Sequence, residues 1–175
     1  MIKQVPDSQD ITIDPVTKTL NRAEARNVVN PPDKNATEAA IRLKEKYGAF
    51  VTIISMGPPM AESAILEMMA MGADEGVLIT DRVFAGADTF PTSLTLAKAA
   101  EVLGNFDLIL CGEETTDSST GHVGPGIAEF LDFEQATYVK DIDYQDPYFI
   151  VEREIEGATE TLKIKKPCVV TITLN

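Results

Sequence analysis

Three short, almost unbroken apolar runs constrain the fold of this chain more than any other feature. They cover residues 50–56, 76–80 and 106–111 and are rich in β-branched side chains. Such runs are typical of strands buried on both faces of a parallel sheet, because a half-exposed strand would alternate polar and apolar residues. Helix-length segments separate the runs. The order β-α-β-α-β therefore predicts an α/β fold with an open, mostly parallel, Rossmann-like sheet and helices on both faces.

Proline, glycine and capping residues place the helices between these runs. Residues 30–33, Asn-Pro-Pro-Asp, predict the start of one helix, with Asp33 as its cap or as a complement to its dipole. Gly48 is predicted to end that helix. Further helices are predicted at residues 61–71, 89–103 and 126–131.

The hydrophobic pattern changes towards the C-terminus. Alternation at residues 137–144, 148–154 and 160–165 indicates antiparallel hairpins with one face in water. The last run, 167–175, is apolar enough to rejoin the main sheet. We therefore interpret residues 1–175 as one domain, with the hairpin region 137–165 as an antiparallel extension of the sheet.

The N-terminal residues have the pattern of an incomplete strand. Residues 2–7 are typical of the tail of a strand that runs into a turn, and few apolar residues precede them. We expect the first strand of the sheet to be incomplete in this sequence. Residues 11–15 alternate and stop at a proline, which predicts a short edge strand or arm.

Composition excludes several classes of protein. A formal net charge of −13 would repel nucleic acid phosphates, so we expect no nucleic acid partner. No apolar run approaches the ~18 residues of a membrane span, and the N-terminus has neither a signal core nor an Arg-rich leader, so we expect a cytoplasmic protein without membrane insertion. Cys111 and Cys168 are predicted to be buried free thiols. With a single histidine and no ligand-spaced cluster, we expect no metal site.

The segment 111–125 holds the strongest functional signal. It follows a predicted parallel strand, precedes a predicted helix and is dense in Gly, Ser and Thr. In open α/β sheets ligands bind beyond the carboxyl ends of the strands, where backbone N–H groups and a helix N-terminus can hold phosphate. The segment lacks the Lys of a P-loop and the G-x-G-x-x-G of NAD-binding proteins. A hydrophilic strand–helix connection without a ligand would have a similar composition.

Other segments and residues bear on the hypothesis that segment 111–125 binds a phosphate-containing ligand. The strand-end segments 30–33 and 55–58 could converge on the same ligand. His122 is interpreted as a polar contact to ligand or solvent, and Glu113 and Glu114 as solvated loop carboxylates. No nucleophile–base–orienter set is present in the pattern, so we predict no catalytic residue.

Motifs spread over essentially the whole chain resemble one family. They lie at residues 2–7, 30–36, 38–45, 54–59, 70–74, 81–89, 106–112 and 123–125. In this order they resemble the beta subunit of electron-transfer flavoproteins, the group that includes the FixA proteins. The resemblance implies a heterodimer with an alpha subunit that holds the electron-transferring FAD. It implies AMP in the beta subunit of ordinary members, or a second FAD in electron-bifurcating members.

The resemblance also implies a role and partners. The chain would be an electron-carrier subunit rather than an enzyme, although NADH would reduce the flavin in a bifurcating member. Ordinary members accept electrons from redox partners such as acyl-CoA dehydrogenases. Because the family continues at both ends of this sequence, with an arm and a recognition loop after residue 175, we expect a truncated form.

Carried over position by position, the resemblance assigns the nucleotide contacts. Asp117 to Thr120 would lie nearest the phosphates, and Met1 and Ile2 would flank the adenine. The cofactor-binding residues would be Asn30, Pro31, Pro32, Asp33, Met56, Gly112, Glu113, Glu114, Thr115, Thr116, Asp117, Ser118, Ser119, Thr120, Gly121, His122 and Val123. The family commonly has a basic residue in place of Glu113 and Asp-Gly-Asp-Thr in place of residues 117–120. These departures leave AMP and FAD as open alternatives.

Two other hypotheses remain open at this point. One is a stand-alone adenine-nucleotide-binding or ATP-hydrolysing domain of related fold, which would lack the hairpin region and the 2–7 motif. The other is a folded fragment without a ligand site, because a missing first strand would leave central hydrogen-bonding edges unpaired.

Overall fold

The computed structural model describes residues 1–7, 12–13, 20–21 and 26–174. In chain order the elements are β1 (Gln4–Pro6), β2 (Thr12–Ile13), β3 (Leu20–Asn21), β4 (Asn27–Val29), α1 (Pro31–Tyr47), β5 (Thr52–Met56), α2 (Glu62–Ala70), β6 (Glu75–Ile79), α3 (Thr89–Leu103), β7 (Leu108–Gly112), α4 (Val123–Leu131), β8 (Glu134–Gln145), β9 (Tyr148–Ile155), β10 (Ala158–Lys165) and β11 (Cys168–Ile172). Short 3₁₀ turns lie at Pro59–Ala61 and Arg82–Phe84. The four predicted helices and the three hairpin strands are confirmed. Of the strand predicted at 11–15, only β2 lies within the described residues, and it pairs with β3.

The strands form a mixed sheet rather than one continuous parallel sheet. A five-stranded ladder has the order β10-β9-β8-β11-β7, in which β11 runs parallel to β7 and β8 while the β8-β9-β10 hairpins are antiparallel. A second, two-stranded ladder pairs β5 with β6 in parallel. The predicted return of the last apolar run to the main sheet is confirmed by β11. The predicted open, mostly parallel sheet is confirmed in part: β5 pairs in parallel with β6, and β11 with β7 and β8, but these strands fall into two ladders, and β5 and β7 are not direct neighbours.

The first residues of the chain connect the two ladders. The backbone nitrogen of Ile2 donates to the carbonyl oxygen of Ile54 in β5 at 2.9 Å. The backbone nitrogen of Met1 donates to the carbonyl oxygen of Leu110 in β7 at 2.5 Å. Residues 1 and 2 therefore lie between β5 and β7, and β1 then turns away to pair with β4.

Helices cover both faces of the five-stranded ladder, as predicted. Val170 of β11 packs in a core cluster with Ala36 and Leu43 of α1. Its neighbour Val169 packs in a separate cluster with Leu96 of α3 and Ile127 of α4. Because successive side chains of a strand point to opposite faces, α1 covers one face, while α3 and α4 cover the other.

The two-stranded ladder is less buried than the sequence predicts. The pattern of 76–80 predicts a buried strand, but in β6 Glu75 and Gly76 are exposed and Val77, Leu78 and Ile79 are half-buried. The reason is position, since β6 has β5 as its only paired strand in the described part of the chain. A continuous apolar run does not distinguish a central strand from an edge strand.

The ends of α1 confirm one capping prediction and correct another. Gly48 ends the helix in the left-handed conformation at φ 74°, and its N–H donates to the carbonyl oxygen of Lys44 at 2.8 Å. Of the two alternatives for Asp33, the cap is wrong, because its carboxylate accepts N–H groups from other segments. The other is consistent with the structure, since Asp33 lies in the first turn of α1, where a negative charge complements the helix dipole. Both cysteines are buried free thiols, as predicted. None of the described helices has the length and hydrophobicity needed to cross a membrane.

Candidate functional site

A cavity of about 560 Å³ lies at the carboxyl ends of β5 and β7, between the first turns of α3 and α4. Cavities of this size commonly hold small ligands and cofactors. The parallel direction of the strands places their C-terminal loops at one edge of the sheet. Segments that are far apart in sequence therefore meet there.

The carboxylate of Asp33 ties three of these segments together. Its two oxygens accept the N–H of Lys3 at 2.7 Å and the N–H of Gly112 at 2.9 Å. Burial raises the pKa of Asp33 to about 6, against the opposing effect of the nearby positive amine and of these two N–H groups. The close approach depends on the glycine, because a Cβ at position 112 would lie 2.4 Å from the Asp33 Oδ1.

Asn30 fixes the start of the long loop between β7 and α4. Its side chain is fully buried. Its Nδ2 donates to the carbonyl oxygen of Glu114 at 2.8 Å, and its Oδ1 accepts the N–H of Thr116 at 3.1 Å. Asn30 therefore holds the loop by hydrogen bonds to the backbone of the loop. Asn30 itself does not line the cavity.

The middle of this loop is an internally bonded turn. The carbonyl oxygen of Thr115 accepts the N–H groups of Ser118 and Ser119 at 3.3 and 2.8 Å. Lys3 Nζ forms an ion pair with Asp117 at 2.7 Å. Burial alone would raise the pKa of Asp117, but hydrogen bonds from Lys3 and Thr115 and the Lys3 charge lower it below its ordinary value. The pairing fixes the loop to the first segment of the chain.

The two helix N-termini at the cavity differ in their free donors. At α3 the side chain of Asp88 accepts the N–H of Phe90 at 3.0 Å, so its own carboxylate already occupies that end. At α4, where His122 is the cap residue, no described side chain caps the helix. Val123 and Gly124 of its first turn line the cavity. The N-terminus of α4 is therefore the better place for an anionic group.

Acidic side chains dominate the charge of the lining. Asp88, Glu113 and Glu114 line the cavity, with Lys3 as a basic side chain among the described lining residues. Glu113 turns towards the end of β11, where its Oε1 accepts the N–H of Leu174 at 3.3 Å. A phosphate in this cavity would therefore depend on backbone N–H groups and hydroxyls rather than on basic side chains. The described residues contain no group of three potential metal ligands.

The structure brings most of the predicted site residues to this one cavity. The predicted residues that line it are Met1, Ile2, Asp33, Met56, Gly112, Glu113, Glu114, Thr115, Ser118, Thr120, Gly121, His122 and Val123. Six predicted residues do not line the cavity: Asn30, Pro31, Pro32, Thr116, Asp117 and Ser119. Of these, Asn30 and Asp117 support the loop through the contacts described above.

Sequence reasoning missed one wall of the cavity. The lining residues Phe84, Gly86, Ala87, Asp88, Thr89, Thr92 and Leu96 come from the segment after β6 and from α3. A signal was present, because residues 81–89 follow a parallel strand and begin a helix, as the other site segments do. The segment was not assigned to the site because it lacks the Gly, Ser and Thr density of 111–125.

Comparisons with known proteins identify relatives along the whole chain. The family model for the electron transfer flavoprotein domain matches residues 17–175. An electron transfer flavoprotein subunit beta of Thermoanaerobacterium thermosaccharolyticum is 50% identical over 171 residues, 98% of this chain and 65% of the relative. A FixA protein of Azotobacter vinelandii is 43% identical over 177 residues, 98% of this chain and 63% of the relative.

A third relative has a more specific name. The caffeyl-CoA reductase-Etf complex subunit CarD of Acetobacterium woodii is 43% identical over 170 residues, 97% of this chain and 65% of the relative. The chain thus spans slightly less than two thirds of the length of the curated relatives that it matches.

Proposed function

Because the chain belongs to the electron transfer flavoprotein family, among its beta subunits and FixA proteins, we propose that its cavity binds an adenine nucleotide, AMP or FAD. In this proposal the chain is an electron-carrier subunit that works beside a flavin-binding alpha subunit. One observation carries the proposal. The N-terminal segment, the start of α1, the end of β5 and the β7–α4 loop converge on a single cavity that meets the uncapped N-terminus of α4.

The cavity residues suit the two ends of such a nucleotide. The N–H groups of Val123 and Gly124 and the hydroxyls of Ser118 and Thr120 would hold phosphate oxygens, since all four residues line the cavity. The apolar lining of Met1, Ile2 and Met56 would pack against the adenine. If the nucleotide is FAD, its isoalloxazine supplies the electron transfer, and the protein supplies binding and orientation.

The partners follow from the family and from one relative's name. We propose an alpha subunit as the constant partner, and NADH or a dehydrogenase of the acyl-CoA type as the electron donor. The name of the Acetobacterium woodii relative, a subunit of a caffeyl-CoA reductase-Etf complex, supports a redox enzyme as an additional partner. The stand-alone ATP-hydrolysing alternative is less favoured, because the family match includes the hairpin strands β8, β9 and β10.

Identification of the bound small molecule tests the proposal. The purified chain is denatured with acid, and the released molecule is identified by mass spectrometry and flavin absorbance. AMP would support an ordinary subunit, and FAD a bifurcating one. Protein that holds neither is then titrated with AMP and with FAD. Absence of saturable binding of either nucleotide to folded protein would contradict the proposal, and ATP turnover by the chain alone would favour the alternative.

A pair of threonine variants assigns the site. Thr120→Val removes a hydroxyl from the cavity lining, and Thr161→Val makes the same change on exposed β10, away from the cavity. A hydrogen bond to a charged group contributes about 1.5–3 kcal/mol. We therefore expect Thr120→Val to weaken nucleotide binding by about tenfold or more, whereas Thr161→Val should bind as the parent chain does.

A further inference from the structure

Strand β8 contains a bulge where it pairs with β11. Val170 of β11 pairs with Ala136 of β8. Ile172, two positions further along β11, pairs with Val139, which is three positions further along β8. One extra residue is thereby accommodated in β8, and such bulges turn a side chain towards a new direction. Ala136 and Val139 both pack in the core cluster on the α1 face, whereas Tyr138 between them does not belong to that cluster.

Tyr138 has a backbone conformation that tyrosine rarely adopts. Its φ is 59°, in the left-handed region, where a bulky side chain is an outlier. Such strain persists only where the surrounding structure fixes it, and it is concentrated at functional sites. The N–H of Tyr138 donates to the Oγ1 of Thr171 at 3.1 Å. Because Thr171 is buried in the central strand β11, this hydrogen bond holds the bulge from within the sheet.

The side chain of Tyr138 extends to the loop between β7 and α4. A Cβ at Gly121 would lie 3.7 Å from the Tyr138 hydroxyl oxygen and 3.5 Å from the carbonyl oxygen of Glu113. Gly121 itself has a φ of 64°, and it lines the candidate cavity at the carboxyl ends of β5 and β7. Two residues in the left-handed conformation, one from β8 and one from the loop, therefore meet beside the cavity.

Thr171 connects the same bulge to helix α4. A Cβ at Gly124 would lie 2.6 Å from the Cγ2 of Thr171, so the first turn of α4 lies directly on β11. Gly124 lines the cavity, and its N–H is one of those proposed above to hold phosphate. The hydroxyl of Thr171 therefore supports the bulge, while its methyl group supports the uncapped N-terminus of α4.

We propose that the bulge at Tyr138, held by Thr171, positions the segment 118–124 for the phosphate of the nucleotide. This inference rests on the proposed function, but the order of the segment can be measured without a nucleotide. Tyr138 is a positioning residue, because it does not line the cavity and acts through Gly121. A segment that is ordered before the ligand arrives loses less conformational entropy on binding. The strained backbone of Tyr138 is the energetic cost of that order.

A pair of glycine variants tests the role of the Tyr138 side chain. Tyr138→Gly permits the left-handed backbone without strain but removes the ring. Asp132→Gly is the matched control, since Asp132 has a φ of 54° and lies at the C-terminal end of α4, outside the cavity lining. Hydrogen exchange of the nucleotide-free chain is followed by mass spectrometry. We expect exchange in the segment 118–124 to be about tenfold faster in Tyr138→Gly and unchanged in Asp132→Gly.

Titration with AMP and with FAD shows whether this order matters for binding. Tyr138→Gly should bind whichever nucleotide the parent chain binds about tenfold more weakly. Its melting temperature should be no lower than that of the parent chain, because glycine adopts this conformation without strain. A lower melting temperature with unchanged binding would show a merely structural role and overturn the proposal.

Hydrogen exchange separates a failure of this proposal from a failure of the proposed function. Parent-like exchange of the segment 118–124 in Tyr138→Gly would overturn the positioning role, whether or not a nucleotide binds. Absence of nucleotide binding by the parent chain would contradict the proposed function, and the exchange rates would still decide whether Tyr138 orders the segment.

Two variants of Thr171 test the hydrogen bond that holds the bulge. Thr171→Val keeps the shape of the side chain and removes the oxygen that accepts from Tyr138, whereas Thr171→Ser keeps that oxygen. We expect exchange in the loop residues 118–121 to be about tenfold faster in Thr171→Val and close to the parent rate in Thr171→Ser. Equal exchange in the two variants would overturn the role of the hydroxyl. If Thr171→Val does not fold, the comparison of Tyr138→Gly with Asp132→Gly decides the question.

Discussion

The two ladders of the sheet are buried to different extents. All five residues of β11, at the centre of one ladder, are buried. In the other ladder, β5 is well buried in its middle, whereas β6 has no fully buried residue. Helices pack on both ladders: in the two-stranded ladder Ile53 packs with α2, and Ile54 packs with Leu96 of α3. We infer that the five-stranded ladder provides most of the hydrophobic stabilisation and that the two-stranded ladder completes the site.

The candidate cavity lies where these two ladders meet. Residues 1–3 and the side chains of Asn30 and Asp33 connect the segments around it through buried polar contacts. Polar contacts are directional, so they fix distances that apolar packing alone would leave adjustable. We therefore infer that the larger ladder provides most of the stability. The connection between the ladders provides the geometry of the site.

The largest expected effect comes from a matched isoleucine pair. Ile172 ends β11 and is 4% exposed, whereas Ile79 ends β6 and is half-buried. We expect Ile172→Ala to lower the free energy of unfolding by about 4 kcal/mol, because it removes buried methylenes and leaves a cavity. Ile79→Ala should cost only about 1 kcal/mol. Urea denaturation measures the free energy of unfolding of both variants. Equal losses would contradict the inference that the five-stranded ladder provides most of the stability.

The pH dependence of stability tests Asp33 at the junction. Burial raises the pKa of Asp33 from 3.8 to about 6, so the folded state holds this proton more tightly than the unfolded state. Its stabilising contribution is therefore present at low pH and is lost as the pH rises from about 4 to about 6. The loss corresponds to about 3 kcal/mol.

The variant Asp33→Asn does not titrate and should lack this part of the pH dependence. Urea denaturation between pH 4 and 7 should therefore show a smaller decrease in its free energy of unfolding than in the parent chain. Asp132→Asn, at the exposed C-terminal cap of α4, is the control and should retain the parent slope. An unchanged slope in Asp33→Asn would mean that this carboxyl group does not control the junction.

The glycines at the ends of β7 and β5, Gly112 and Gly57, differ in how much room a side chain would have. A Cβ at Gly112 would lie 2.7 Å from the Pro32 Cβ and 2.9 Å from the Asp33 backbone nitrogen, so α1 would have to move. We expect Gly112→Ala to cost about 2 kcal/mol, as overpacking does. At Gly57 a Cβ would lie 3.2 Å from the Ala61 Cβ, and the cost should stay below about 1 kcal/mol. Thermal denaturation measures the loss of stability in each variant. A larger loss in Gly57→Ala than in Gly112→Ala would contradict a close approach of β7 to α1.

The smallest expected effect concerns two buried serines. The Ser55 hydroxyl in β5 is buried and has no hydrogen-bond partner among the described residues, whereas the Ser93 hydroxyl in α3 donates to the carbonyl oxygen of Thr89 at 2.7 Å. Ser55→Ala should stabilise the protein by about 1 kcal/mol, since it removes an unsatisfied polar group. Ser93→Ala should destabilise it by about the same amount. Destabilisation by Ser55→Ala would reveal a partner for that hydroxyl.

Much of the local structure could be predicted from the sequence. The helix predicted at 89–103 matches α3 at both ends, because Asp88 and Gly104 give clear start and stop signals. The helix predicted at 126–131 starts three residues earlier, at Val123, because its N-terminus has no side-chain cap to identify it. The hairpins were predictable because alternation has a period of two, which helices do not share.

The candidate site was predictable only in part. The β7–α4 loop has a composition that favours a ligand, and eleven of the seventeen residues predicted as cofactor contacts line the cavity. The segment at 84–89 was missed because its role depends on which strand lies beside which. That Asn30 and Asp33 act through loop backbones could not be predicted either, since their partners lie 30 to 86 residues away in sequence.

The sequence by itself determined the elements, their order and the family, because periodicity, capping residues and motifs are local properties of the chain. Tertiary structure alone decided that β5 and β7 are separated by the first residues, that β6 pairs only with β5 among the described strands, and that Asp33 joins three segments. These features depend on which backbone groups pair across long sequence separations. Such pairings depend on the packing of the whole chain, and no local pattern encodes them.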